Sequence, residues 1–489
     1  MEVPLHPFGL NLLGTVRFQE HFCALLVGLA FGLSIGVGGA WVLGSGGSGA
    51  AVSLVSVTAS ATLFSQQEDV APSANHYTIE DLTLPFDGYE ETHEIAYDAA
   101  SHTAFISQMI ASRLVQVSFD GARLSGAVRR WTVGTAGKSG LHNVQASRSR
   151  PGCLWLSLQF NDSVHLVDPS EGFQTLRSLK TPTQLPLGQG GGTVPVGGPH
   201  AAVEAMDGAI WVGLKAANQA LRGSMSSTGL TAADRPSSYW AVWRIELSKY
   251  DPAEPPAFGG ELFAAPKSPT MIAFDGQGNT FISCDGVSTV MRVSVDRIPQ
   301  QIPLPRGFAE HGNGPGIAAD PNGNIWLTAL SSTDGSLVRF ASGSTDPELI
   351  TVLPSTRCQG ISCVGWQPAQ SERQIIHLTF SAAGGVSRRA NVLYVLTSSL
   401  LAGNADEAIY AIELADDWRT LRPSGEVGVQ TIWLPEDHSA AHRLQVVAPA
   451  WSSPHHAAFF DRRDGMGGNG IIATGLHQNQ IFYVRGRSL

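Results

Sequence analysis

The chain has 489 residues and a formal net charge of −10 spread without a basic stripe, which excludes nucleic acid as a partner. Its 54 glycines, 28 prolines and only 15% charged residues suit a turn-rich all-β protein and exclude a helical one. Five cysteines without zinc spacing are too few for a disulfide scaffold; Cys23 lies in the N-terminal apolar run, and Cys153, Cys284, Cys358 and Cys363 read as small buried hydrophobes, with a local Cys358 to Cys363 bridge as the alternative.

Residues 1–22 are mixed and carry Glu2, Arg17 and Glu20. Residues 23–43 contain no charge, and a run of about 20 apolar residues is long enough to cross a bilayer as a helix. A secretory signal has a shorter apolar core, of roughly 7 to 15 residues. Arg17 precedes the run and the next basic residue is Arg113, so the positive-inside bias leaves the N-terminus in the cytoplasm and sends the rest across. Residues 23–43 therefore read as an N-terminal hydrophobic helix that serves as a transmembrane signal anchor. Small residues at Ser48 and Ala50, and at Ala59 and Ala61, keep a cleaved signal open. The membrane is then a partner of the N-terminal segment, and the remainder is extracytoplasmic, anchored or secreted. The sequon at Asn161, Asp162 and Ser163 fits export as a glycoprotein. Residues 44–75, rich in Ser, Ala and Gly, read as a flexible tether.

Residues 76–489 repeat one pattern. It starts at Thr92-His93-Glu94-Ile95 and returns at Leu141-His142-Asn143-Val144, Pro199-His200-Ala201-Ala202, Pro269-Thr270-Met271-Ile272, Pro315-Gly316-Ile317, Gln359-Gly360-Ile361 and Pro454-His455-His456-Ala457, which makes seven starts. Each start leads to a polar turn, a short apolar run such as Ile325-Trp326-Leu327, an alternating run such as Thr289-Val290-Met291-Arg292-Val293, and often a fourth run ending in Leu-Pro. Four short strands per repeat predict a seven-bladed β-propeller. The last repeat runs out after its third strand, while an orphan strand ending at Leu84 and Pro85 precedes the first. That N-terminal strand is expected to close the ring and remove an exposed edge. Insertions fall at residues 185–198, 216–238 and 367–389, where long loops on a repeat scaffold carry lids or binding segments.

Aligning the repeats gives a column of residues at the start of the inner strands: His93, His142, His200, Thr270, Pro315, Gln359 and His456. The four histidines sit in consecutive blades of a closed ring and are expected to share one mouth of the central channel. Imidazoles titrate near neutral pH and ligate metals, so the arc suits a general base, a metal site or both. Glu91 and Glu94 flank His93 and supply a carboxylate to orient an imidazole or add a ligand.

The repeat, clearest at Gly314-Pro315-Gly316-Ile317 followed by Asp320, Gly323 and Ile325-Trp326-Leu327-Thr328, resembles the streptogramin B lyase (virginiamycin B lyase) family of seven-bladed propellers. The resemblance covers the ring from about Asn75 onward. It implies that His456 faces substrate, that Glu91 binds magnesium, and that His93 is the base for a β-elimination that opens a cyclic depsipeptide. The family's second magnesium-binding carboxylate falls at Gln108, a much weaker ligand for a hard cation.

The leading expectation is a lyase-like or cyclase-like enzyme acting on a small organic or lactone-containing substrate. Its catalytic residues are His93 and Glu91, and its substrate contacts are His142, His200 and His456. A metal-dependent lactonase and a non-catalytic binding or adhesion propeller are the alternatives.

Overall fold

The structure is a computed structural model that describes residues 77–84, 92–98, 101–120, 123–170, 172–187, 192–215, 239–306, 308, 313–329, 336–351, 375–381, 391–398, 408–415, 417–418, 429–433, 454–460, 470–475 and 480–486. All of them lie in one compact unit, residues 74–357 with 368–489. The apolar run 23–43, the tether, Glu91, Cys358 and Cys363 fall outside the described residues. Among the described residues, no helix is long and apolar enough to cross a membrane.

The chain is an all-β propeller. Among the described residues the strands form seven four-stranded antiparallel sheets and one two-stranded ribbon. The innermost strands, in chain order, are Thr92–Asp98, Leu141–Ala146, Pro199–Glu204, Pro269–Phe274, Asn313–Ala319, Ile375–Phe380 and Pro454–Phe460. Each packs against the innermost strand of the next sheet, and Pro454–Phe460 packs against Thr92–Asp98. The N-terminal strand Tyr77–Thr83 is the outer strand of the last sheet, antiparallel to Gln480–Gly486 with Tyr77 opposite Gly486.

Period-two alternation explains the interfaces, because successive side chains of a strand face opposite neighbours and both faces are covered. In Thr103–Gln108, Ala104 and Ile106 join a cluster with Ile472 and Tyr483 of the last sheet, while Phe105 joins one with Val144 and Leu156 of the second. Trp155 points onward from the second sheet to Val212 and Trp243 of the third. The second strands Thr103–Gln108 and Leu154–Leu158 are therefore buried along their whole length.

The polar turn between the first two strands is set by an aspartate. Asp320 accepts hydrogen bonds from the backbone N–H of Asn322 and of Asn324, and from the indole N–H of Trp326. Gly323 follows with φ of +78°, and a Cβ there would stand 2.4 Å from the backbone of Gly276 in the neighbouring blade.

Two expectations change. The sixth innermost strand is Ile375–Phe380 and does not start at Gln359, which lies outside the described residues. The strand lies inside residues 367–389, which the repeat pattern assigned to an insertion, and its buried run Ile375-Ile376-His377-Leu378 takes the inner position that the short Gln359-Gly360-Ile361 match suggested. The Gly-rich insertion at 185–198 holds a short ribbon, Gln184–Pro186 paired with Thr193–Pro195. The described cysteines, Cys153 and Cys284, are buried free thiols.

A hydroxyl on the second strand joins successive blades. Ser107 donates to the carbonyl of His142 (2.6 Å), Ser157 to that of His200 (2.7 Å) and Thr474 to that of His93 (2.7 Å). Ser107 also accepts from the N–H of Glu94 (2.9 Å), and Ser157 from that of Asn143 (3.0 Å), so each hydroxyl satisfies one group in its own blade and one in the next. Ser157→Ala leaves both buried groups unpaired, at about 1–3 kcal/mol each. The expected result is a clear drop in the urea unfolding midpoint. An unchanged midpoint would show that the stitch contributes nothing.

Candidate functional site

His93, His142 and His200 each lie at a break in strand register. In the first blade Thr92 pairs with Gln108 but Ile95 pairs with Ile106, so His93 and Glu94 occupy a bulge. The same shift lies between Leu141 and Val144, Pro199 and Ala202, Pro269 and Ile272, and Pro454 and Ala457. A bulge re-aims side chains that a regular strand would alternate. Here the first bulged residue gives its carbonyl to the previous blade's hydroxyl, and the second gives its N–H to its own.

The register corrects the histidine column. Counting from the paired prolines, the residue equivalent to His93, His142 and His200 is His455, and His456 occupies the position of Glu94. In the sixth blade the column residue is Ile376, and His377 takes the second position.

The described structure brings His93, His142 and His200 into one buried row. The ring centroids of His93 and His142 are 4.0 Å apart, and those of His142 and His200 3.7 Å. Exposure is 8%, 2% and 3% along the row. Glu94, 2% exposed, places Oε1 3.5 Å from His142 Nδ1.

Asn143 fixes that carboxyl. Its Oδ1 accepts from the N–H of Ala202 (3.1 Å), so its amide nitrogen must face the other way, where it donates to Glu94 Oε2 (2.5 Å). Three blades are thereby joined by one side chain. His200 is fixed as firmly: Nδ1 donates to the carbonyl of Thr270 (2.8 Å), leaving Nε2 to accept from the Lys215 ammonium (3.2 Å). Lys215 is paired in turn with Asp285 at 3.0 Å. His200 is therefore a neutral Nδ1–H imidazole with both nitrogens engaged.

A cavity of about 310 Å³ runs along the inner strands, within the range of small-molecule sites. Its wall includes Glu94, Asn143, Ala201, Met271, Ile317 and His377. The imidazole row stands beside this wall and meets it through Glu94.

Glu91 lies outside the described residues, as do the side chains of His455 and His456, so the carboxylate seen at the imidazoles is Glu94. Gln108 is fully buried and its side-chain oxygen accepts from the Arg113 guanidinium at 3.4 Å. A position already facing a cation does not fit the second magnesium ligand that the family resemblance implies. Sequence reasoning passed over Asn143, Lys215 and His377. Asn143 had one available signal, its place directly after a column histidine.

In fold, this chain is similar to streptogramin B lyases. A crystal structure of virginiamycin B lyase from Staphylococcus aureus matches with a TM-score of 0.50 at 11% identity, covering 84% of this chain and 99% of that one. A streptogramin B lyase structure matches with a TM-score of 0.51 at 12% identity, covering 84% and 98%. At such identity the likeness is one of fold. No protein-family profile and no curated protein sequence matches the chain.

Burial pushes the Glu94 carboxyl up from 4.5 to about 8, against the opposing hydrogen bond of Asn143 and charge of Lys215. A raised folded-state pKa means that Glu94 holds its proton more tightly folded than unfolded. Its contribution to stability is complete below about pH 4.5 and is lost as pH rises through about 8. Relative to Glu94→Gln, metal-free wild type should lose stability across that window with a slope of up to about 1.4 kcal/mol per pH unit. Urea titrations at several pH values measure it, and parallel curves for the two proteins would refute the buried protonated acid.

Proposed function

We propose that this propeller is a lyase-like or lactonase-like enzyme that opens an ester or lactone C–O bond in a small organic substrate held in the axial cavity. One observation carries the reading: a buried carboxyl on the cavity wall lies 3.5 Å from a ring nitrogen of a close-packed histidine row. Glu94 and His142 form an acid–base pair that can hold a proton between them. His93, the most exposed of the row at 8%, is the group nearest to solvent and the proton acceptor when no cation is present. In that form the reaction is elimination, the reaction class for which the lyases of like fold are named.

Hydrolysis is favoured by a different observation. A ring nitrogen of His93, one of His142 and an oxygen of Glu94 lie within 4.8 Å of one another, the disposition of ligands around one cation. His200, whose two nitrogens are occupied, positions His142 in either case.

Turnover of a panel of lactones and cyclic depsipeptides tests the proposal. His93→Ala should lower the rate by about 10²–10⁴-fold with the fold retained. An unchanged rate would remove His93 from the centre, and saturable binding without turnover by wild type would replace the enzyme with a binding propeller.

Export belongs to the same reading, with residues 23–43 carrying the propeller out of the cytoplasm. Protease added to intact cells should then digest the propeller. Full protection, with digestion only after lysis, would reverse that topology.

A further inference from the structure

The geometry points to a binding site for a transition-metal dication of the Zn²⁺ type, with His93, Glu94 and His142 as its protein ligands. The candidate atoms come from two adjacent blades and all lie within 4.8 Å of one another, each on a buried residue. For bonds of about 2.1 Å in a tetrahedral site, ligand atoms stand about 3.4 Å apart. The Glu94 Oε1 to His142 Nδ1 separation of 3.5 Å already matches this. Glu94 Oε1 makes no hydrogen bond among the described residues although its carboxyl is 2% exposed. A buried carboxylate oxygen in that state is an available ligand, since burial without a partner is costly for the charged form and a cation relieves it.

The donor set selects the metal. Two imidazole nitrogens and one carboxylate suit Zn²⁺, Co²⁺ or Fe²⁺, whereas Mg²⁺ prefers oxygen ligands in a near-ideal octahedron. Three protein ligands leave a coordination position open, as catalytic rather than structural zinc sites do.

The surroundings are built for it. Asn143 holds the second oxygen of Glu94, the Ser107 hydroxyl holds the His142 carbonyl, and His200 packs on the His142 ring while pinned at both nitrogens. Outer contacts of this kind orient ligands and set affinity. Among the described residues, the charge acting on Glu94 is that of Lys215, which Asp285 balances at 3.0 Å. Glu94 on the cavity wall provides a route for the ion from the axial cavity. A bound dication would polarise an ester carbonyl. It would also occupy the lone pair that His93 needs as a free base, so the inference selects hydrolysis from the two forms of the proposed reaction.

The test uses full-length protein without a histidine tag, stripped with a chelator and titrated calorimetrically with ZnCl₂, CoCl₂ or MgCl₂ in the absence of any substrate. One Zn²⁺ or Co²⁺ per chain is expected, with Mg²⁺ weaker by about 100-fold or more. Bound Co²⁺ should give the visible absorption of a low-coordinate nitrogen and oxygen site, and Zn²⁺ should raise the melting temperature by mass action. Glu94→Gln, which keeps the shape of the side chain, should abolish saturable binding. Asn143→Ala should weaken it by about 10–100-fold, and His102→Ala, away from the site, should leave it unchanged. Circular dichroism of each variant separates loss of metal from loss of fold. No saturable Zn²⁺ or Co²⁺ binding by wild type, equal binding by folded Glu94→Gln, or Mg²⁺ binding as tight as Zn²⁺ would each overturn the site. Turnover by a protein that binds no metal would overturn it while leaving the ring-opening reading and its free-base form standing.

Discussion

A single hydroxyl, repeated on the second strands of several blades, holds both the ring and the site in place. At Ser107, Ser157 and Thr474 it donates to the carbonyl of the first bulged residue in the next blade. Ser107 and Ser157 also accept the N–H of the second bulged residue in their own. A bulge takes backbone groups out of the strand ladder, and buried groups without partners are costly. The hydroxyl satisfies one donor and one acceptor at the seam between blades, so the irregular backbone that aims the site residues is also where adjacent blades are joined. The acceptor carbonyls belong to His93, His142 and His200, which ties the histidine row to the seams.

The third blade departs from this scheme in an informative way. Gly213 stands across the bulge where the first two blades have serine, so no hydroxyl reaches the carbonyl of Thr270. His200 supplies the missing donor through Nδ1 at 2.8 Å. That bond fixes the tautomer of His200, and Lys215 takes the remaining nitrogen. Within the row, one histidine is thereby committed to holding blades together, while His142 faces the carboxyl of Glu94. Equivalent positions in a repeat thus come to carry different duties.

Burial governs the chemistry of the remaining groups. Glu94 is kept protonated well above the usual carboxylate range by desolvation, in spite of the hydrogen bond from Asn143. Low local dielectric makes either a shared proton or a bound cation the means of satisfying the carboxyl and the imidazoles together. Both would act from the wall of the axial cavity, where Glu94 links the buried row to a space of about 310 Å³.

The repeat itself determined the all-β propeller class, since recurring units of four short strands admit little else. It also placed His93, His142 and His200 at equivalent positions, because the bulge recurs at nearly constant spacing from a start marked by proline, threonine or leucine. Register was beyond its reach wherever two like residues stood together or an insertion intervened. His455 and His456 differ by one step that only pairing with Gly470–Gly475 resolves, and the sixth inner strand at Ile375–Phe380 lay inside the stretch 367–389 that the repeat pattern, matched at Gln359, assigned to an insertion. The contact of Glu94 with His142, the orientation of Asn143, and the pairing of Lys215 with Asp285 were decided by tertiary structure alone. Each depends on contacts between separate blades, and sequence periodicity records which face a residue takes within a strand but not what the neighbouring blade presents to it.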